Sequence, residues 1–218
     1  QYFRPGGLST DTTLNASLNQ FKEQFFISTA LKNERLEFED NNPDSLNYSV
    51  KLTPFKDSSY HRSVENEVGY MKIIGRHSVS SSLTYDYSSI YQNTVTKYFQ
   101  NLYITAKGIV RLNKFQFEPQ VKFGILGYNA GDYKIDGVAS YHFKRLNFIG
   151  RFLSQKVEPT FMQREFRSNA IQWENNFSKI SVNQLQGTIS TRQTNHNLKV
   201  DIKAENTNGL IYYHDENK

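Results

Sequence analysis

Residues Leu102 to Phe152 read LYITAKGIVRLNKFQFEPQVKFGILGYNAGDYKIDGVASYHFKRLNFIGRF. Leu102, Ile104, Ala106, Gly108, Val110 and Leu112 alternate with Tyr103, Thr105, Lys107, Ile109 and Arg111, the period of two that separates the faces of a strand. Asn113 and Lys114 make a two-residue turn. Phe115, Phe117, Pro119, Val121, Phe123 and Ile125 then carry the same face back against Gln116, Glu118, Gln120 and Lys122. After the loop GYNAGD, Tyr133, Ile135, Gly137, Ala139, Tyr141 and Phe143 oppose Lys134, Asp136, Ser140 and His142. A second tight turn at Lys144 and Arg145 leads to Leu146, Phe148, Gly150 and Phe152. Short reversals between alternating strands make an antiparallel meander.

The rhythm extends outward. Residues 1–19 read as an irregular N-terminal segment, and 20–218 as one run of strands. Phe21, Phe25, Ile27, Thr29 and Leu31 share a face, and alternation resumes after Asn33 and Glu34 through Leu36 and Phe38. Asp40 to Ser45 reverses the chain into Leu46, Tyr48, Val50 and Leu52. Thr53 to Val64, with Pro54 and adjacent serines, reads as a longer loop. The strands EVGYMKII and SVSSSLTYDYS follow, hinged at Gly75, Arg76 and His77. Beyond Phe152 a polar connection, SQKVEPTFMQREFRSN, leads to AIQWENNF, and SVNQLQGTIS, LKVDIKAE and LIYYH complete roughly a dozen strands. No segment carries the i, i+3, i+4, i+7 pattern of a helix. Short reversals at Asn113, Lys144 and around Asn208 are expected to alternate with longer ones at Gly127 to Asp132, Gln155 to Ser168 and Thr191 to His196.

Only 37% of the 218 residues are hydrophobic and the mean hydropathy is -0.65, so no run reaches the roughly 18 to 20 apolar residues of a spanning helix. A membrane β-barrel escapes that test, because only alternate residues of its strands must be apolar. Phe 16 and Tyr 14 supply nearly all the aromatic residues, which suits strands and interfacial girdles. With Cys 0 there is neither disulfide nor thiolate chemistry. The net charge of +5 comes from Lys and Arg scattered among Asp and Glu rather than from a basic patch, which argues against a nucleic-acid partner. No charged and then apolar leader opens the sequence, so an export signal is expected to have been removed or to lie outside it.

Alternation alone also fits a soluble β-sandwich or barrel whose apolar face fills a core. Three features favour lipid instead: strands of about ten residues, glycines and alanines within the apolar face, and a strongly charged opposite face. On that reading Lys107, Arg111, Glu118, Lys122, Lys134, Asp136, His142 and Arg151 line a watery lumen.

The succession GYNAGDYKIDGVASYHF, VEPTFMQREFRSNAIQWENNF, NQLQGTIS and LKVDIKAENTNGLIYY resembles the middle to later part of the putative porin family of Bacteroidetes outer membranes. The resemblance covers roughly residues 100 to 214, and the earlier strands share it in style. It implies a transmembrane antiparallel β-barrel in the outer membrane of a Gram-negative cell, in transport rather than catalysis. Complete barrels usually finish on an amphipathic strand with a terminal aromatic residue, whereas this chain finishes HDENK, and the family is longer; the expectation is therefore a fragment or an incomplete wall.

Candidate chemistry is sparse. His61, His77, His142, His196 and His214 are too dispersed for a local metal site, and GYNAG lacks the spacing and lysine of a phosphate loop. Asp132 and Asp136 fall on one face of a strand, where carboxylates are usually solvated; Asp86 and Glu118 are no better placed. There is no Gly-x-Ser-x-Gly elbow, and Ser78, Ser80, Ser81 and Ser82 suit a strand face. Trp173, Tyr212 and Tyr213 are candidate interfacial anchors. The expected function is passive diffusion of small polar solutes, without enzyme activity or cofactor, with a slight anion preference from the basic excess. Expected partners are outer-membrane lipid or lipopolysaccharide, the solutes, and other outer-membrane subunits, with no nucleic acid. The alternatives are a structural or binding subunit of an outer-membrane complex, or a soluble glycan- or peptide-binding module.

Overall fold

The computed structural model describes residues 22–40, 55–92, 95–167, 172–191 and 198–209. Nine strands form one sheet: β1 (Glu23–Asp40), β2 (Phe55–Ile74), β3 (His77–Gln92), β4 (Val95–Leu112), β5 (Phe115–Gly127), β6 (Tyr133–Phe143), β7 (Leu146–Val157), β10 (Ile180–Thr191) and β11 (Lys199–Asn208). Each pairs antiparallel with its neighbour in chain order. The connection between β7 and β10 holds a one-turn helix, α1 (Phe161–Arg164), and a separate hairpin of β8 (Glu165–Arg167) and β9 (Gln172–Glu174). The expected all-β antiparallel meander is the observed fold.

The sheet is inside out by the standards of a water-soluble protein. Along β3 the small polar residues are covered, with Ser82 and Thr84 7%, Asp86 9% and Ser88 5% exposed, while Leu83, Tyr85 and Tyr87 between them are 42%, 41% and 38% exposed. The apolar face continues through Ile27, Val68, Leu83, Ile104 and Phe123, which lie opposite one another from β1 to β5, and all five are exposed. From Leu102 to Leu112 the apolar face of β4 runs about 33 Å at ~3.3 Å per residue. Tilted by about 40°, that length spans the ~25 Å apolar band of an outer-membrane strand.

Aromatic rings gather toward both ends of this face. Near one end Tyr141 lies 6.4 Å from Phe143 and 6.5 Å from Phe148, between ring centroids; near the other, Tyr87 stacks on Tyr98 at 6.1 Å and Tyr60 meets Tyr91 at 6.3 Å. Between them the aliphatic Ile27, Val68, Leu83 and Ile104 share the face with further rings, among them Phe123 and the stacked pair Phe117 and Phe152 at 6.4 Å.

At one end of the sheet the chain reverses in two residues after β2, β4 and β6, as expected at Gly75, Asn113 and Lys144. The first residue of each turn takes a positive φ, 62°, 48° and 50° respectively, the backbone twist that a tight hairpin requires. The opposite end carries the five residues between β5 and β6 and the long β7–β10 connection. The expected sorting by length is incomplete. The Thr191 to His196 reversal lies at the short-turn end, Asn208 closes β11 at the long-loop end, and β3 joins β4 there across residues 93–94.

Other expectations are corrected. Thr53 to Val64 is not a loop: β2 begins at Phe55 and pairs through Val64 with Leu31 to Asp40. Its polar character reflects position, because the extended ends of β1 and β2 are joined by polar contacts as well as by the ladder: His61 lies 3.2 Å from Glu34, and Arg35 sits 5.2 Å from the Tyr60 ring centroid. No break occurs at Asn33 and Glu34, which pair with Arg62 and His61. β7 continues to Val157 because β6 and β10 flank it on both sides. Among the described residues of AIQWENNF, Gln172–Glu174 form a strand, in the small hairpin. The turn at Asp40 to Ser45, the strand Leu46 to Leu52, the strand LIYYH and residues 1–19 fall largely or wholly outside the described residues.

Gly127 ends β5 with φ 96°, and a Cβ there would run into the Gln100 carbonyl. Nothing lies within 4 Å of a Cβ placed on Gly150. Gly127→Ala is expected to lower stability by about 1–3 kcal/mol, and Gly150→Ala to change it by less than about 0.5 kcal/mol. Urea midpoints of the two variants in detergent would show it, and equal midpoints would refute the assignment.

Candidate functional site

The polar face is the chemically distinctive surface. All eight residues expected to line a lumen fall on it, opposite the apolar residues of β4 to β7. Thr105, Lys122, Lys134 and Gln155 form one cross-strand row, and Lys107, Gln120, Asp136 and Leu153 the next. Lys107, Glu118, Lys134, Asp136 and Arg151 come together around a recess of about 470 Å³, with Ser78, Ser80 and Gln184 from neighbouring strands. Lys134 pairs with Asp136 at 3.1 Å, and Asp136 Oδ1 is buried without a hydrogen-bond partner.

The other three sit apart. Arg111 Nε donates to Gln116 Oε1 at 3.2 Å, and His142 Nδ1 lies 2.7 Å from Asn147 Oδ1, both near the two-residue turns. Lys122 Nζ sits 4.1 Å from the Tyr103 ring centroid, a cation–π contact that fixes the lysine against the wall. The pair Asp132 and Asp136 is not brought together: Asp132 precedes β6 and turns to the β7–β10 connection.

That connection folds across the polar face at the long-loop end. It passes over β5 and β6 and docks on β3 and β4. Gln92, near-fully covered, donates from Nε2 to the Glu165 carbonyl at 3.4 Å and accepts at Oε1 from the Arg167 amide at 3.1 Å. Lys97 pairs with the Glu165 carboxylate, and its ammonium lies 5.0 Å from the Phe161 ring centroid. Phe99 meets both Phe161 and Tyr128 with centroids 5.1 Å apart.

A charged clamp holds the base of the loop. Asp132 accepts from the Glu158 amide at 3.0 Å and from Lys179 Nζ at 2.7 Å, and Lys179 also lies 3.6 Å from Glu158. Arg164 closes the ring onto Glu158 and donates to Asn176 Oδ1 at 3.1 Å. Tyr128 donates its hydroxyl to the carbonyl of the fully buried Pro159 at 3.1 Å. Burial raises the Tyr128 phenol above its ordinary value, opposed by Arg164. The helix α1 begins at a capping box in which Gln163 Oε1 accepts from the Thr160 amide at 2.9 Å, the arrangement that satisfies an orphan donor at a helix start.

The expected candidates omitted this loop network, and with it the carboxylates of β2 and β3. Glu65, Glu67 and Asp86 share the polar face with Lys107 and its neighbours. Asp86 accepts from Ser88 Oγ at 3.2 Å and Asn101 Nδ2 at 3.1 Å, and Ser28 Oγ donates to Glu67 at 3.3 Å. His61 lies 3.2 Å from Glu34, and His77 Nδ1 accepts from the Arg111 amide at 3.2 Å, so these histidines serve strand pairing. The Trp173 side chain, Tyr212, Tyr213, His196 and His214 lie outside the described residues.

The profile of a family described as Putative porin matches residues 3–218. A search of curated proteins finds no match.

Asp132→Ala removes the acceptor for both Lys179 and the Glu158 amide. Losing such a partly buried acceptor costs about 1–3 kcal/mol, so amide exchange at residues 158–167 should rise roughly five- to hundredfold, leaving β6 and β7 protected. Unchanged exchange there would show that the clamp does not hold the loop. A phenol whose folded-state pKa is raised contributes stability that is complete below the unfolded value of about 10 and is lost as pH rises through the folded value. Loop protection is therefore expected to be flat up to about pH 10 and to fall above it. Tyr128→Phe should abolish that alkaline loss in exchange measurements.

Proposed function

The chain belongs to the Putative porin family, and on that premise we propose that its sheet is the wall, or part of the wall, of an outer-membrane β-barrel through which small polar solutes diffuse passively. The reading rests on the inverted burial of β3: a strand that covers Ser82, Thr84, Asp86 and Ser88 and exposes Leu83, Tyr85 and Tyr87 is stable where the surrounding medium is hydrocarbon. The face bearing Lys107, Arg111, Glu118, Lys122, Lys134, Asp136, His142 and Arg151 is then the lumen. Two aromatic belts mark the interfaces, the two-residue turns lie on the periplasmic side, and the larger connections lie outside.

Selection is by width and charge. The β7–β10 loop, held over the polar face by Gln92 and Lys97 on one side and by Asp132 on the other, narrows the outer mouth. No bound cofactor is needed for such passage, and the basic excess gives at most a weak anion preference.

Among the described residues β1 and β11 pair on one side only. A bilayer does not tolerate unpaired backbone at an open sheet edge, so in the membrane these edges are joined to each other or to further strands. The same observation favours a second reading, a wall shared with another outer-membrane subunit.

The natural full-length protein is expected to fractionate with the outer membrane, to migrate as a heat-modifiable species in detergent, and to give ohmic conductance in planar bilayers. A soluble monomer needing no detergent would end the membrane reading. Copurification of a stoichiometric second protein would identify the shared wall, and reversal potentials favouring cations would remove the anion preference.

A further inference from the structure

The two ends of the sheet treat their charges differently. At the long-loop end Arg164, Arg167 and Lys179 each pair with a carboxylate. At the short-turn end the three two-residue turns carry Arg76, Lys114, Lys144 and Arg145 and no Asp or Glu. All four side chains are exposed, and among the described residues none has a carboxylate within salt-bridge distance. The sequence between Thr191 and Leu198, RQTNHN, adds Arg192 and again no carboxylate. Glu23, on the apolar side at this end, is already held by Lys72 at 2.7 Å, and Glu118 and Asp136 belong to the polar face.

Two of these cations converge on one ring. Lys114 and Lys144 come from neighbouring turns, which the His142 amide ties together by donating to the Lys114 carbonyl at 2.9 Å. Their ammonium groups lie 5.8 Å and 5.4 Å from the centroid of Phe143, whose ring is exposed on the apolar face beside Tyr141. Phe115 and Leu112 continue that exposed surface. Cation–π attraction therefore draws both lysines to the rim where the apolar face ends. An exposed apolar surface with two uncancelled cations at its edge is the complement of a molecule that joins acyl chains to an anion.

Resting on the membrane reading above, we infer that this end of the sheet binds the headgroup of an anionic phospholipid, with Lys114 and Lys144 against the phosphate and the acyl chains along Phe143, Tyr141 and Phe115. Arg76 and Arg145 add charge from the same row of turns. A phosphodiester whose headgroup carries no ammonium, as in phosphatidylglycerol, keeps a net negative charge that the turns offset. A phosphatidylcholine headgroup brings its own cation beside theirs and gains little. With the short turns on the periplasmic side, the leaflet concerned is the inner one.

The test uses the full chain in detergent, with native mass spectrometry counting bound phosphatidylglycerol and phosphatidylcholine offered at equal concentration. At low salt phosphatidylglycerol should be retained in preference by roughly tenfold, and the preference should shrink as salt rises toward about 1 M. Lys114→Gln with Lys144→Gln should lower the preference roughly fivefold or more, and Lys114→Arg with Lys144→Arg should keep it. Lys156→Gln, which removes an exposed cation on the apolar side of the opposite end, should leave it unchanged. Heat modifiability on a gel identifies folded variants, and Arg76→Gln with Arg145→Gln, expected to shift the preference in the same direction, serves if the lysine pair fails to fold. Equal retention of the two lipids by the wild-type chain, or a preference that survives the glutamine substitutions, would overturn the inference while leaving a conducting channel. So would displacement of the lipid by an equal concentration of glycerol phosphate, which would mean that the turns take free phosphate without the rings, or a copurifying acidic protein that the same substitutions release. A chain soluble without detergent would overturn the membrane reading and this one with it.

Discussion

In a hydrocarbon medium every backbone amide and carbonyl must be satisfied within the protein, and on the channel reading proposed above the ladder from β1 to β11 is how this chain meets that demand. Once the ladder supplies the backbone bonds, the side chains are free to be sorted by solvent alone. The hydrophobic effect, which normally draws leucine and tyrosine inward, has no such pull at a lipid face. Leu83 and Tyr85 can stay outside while Asp86 and Ser88 gather within. The same freedom lets the polar face accumulate charges at a density that a packed core would not accept.

The connection between β7 and β10 obeys a different economy. It has no long ladder of its own, so its backbone groups are satisfied by side chains reaching from the wall. Gln92 serves both a carbonyl and an amide of the loop, and Asp132 receives the Glu158 amide together with Lys179. Buried polar groups are ordinarily paired in this way. The consequence is a loop anchored both to β3 and β4 and to the connection between β5 and β6.

The strands from Leu102 to Phe152 were legible because two demands coincide there: an apolar position every second residue and a reversal in two. Where a strand extends beyond the apolar face, as β2 does from Phe55 to Val64, nothing imposes alternation, and the polar sequence imitates a loop. The lumen candidates from Lys107 to Arg151 were visible as the charged side of a clear rhythm. Glu65 and Glu67 were missed because their strand announced itself through apolar residues alone, and Asp86 was weighed only as a catalytic carboxylate. The loop network joins residues such as Gln92 and Arg167 that are far apart in sequence, so no local pattern reveals it. The one local trace was Thr160 followed by Gln163, the signature of a helix start.

The described residues form nine strands of one sheet, an odd number, and that has a geometric consequence. Strands that alternate in direction leave the first and last of an odd set pointing the same way, so β1 and β11 are parallel to each other. Joining them directly would create a single parallel seam in an otherwise antiparallel wall. A cylinder with no such seam must interpose an odd number of further strands, and parity then makes its circumference at least ten strands around. The bore follows from that circumference.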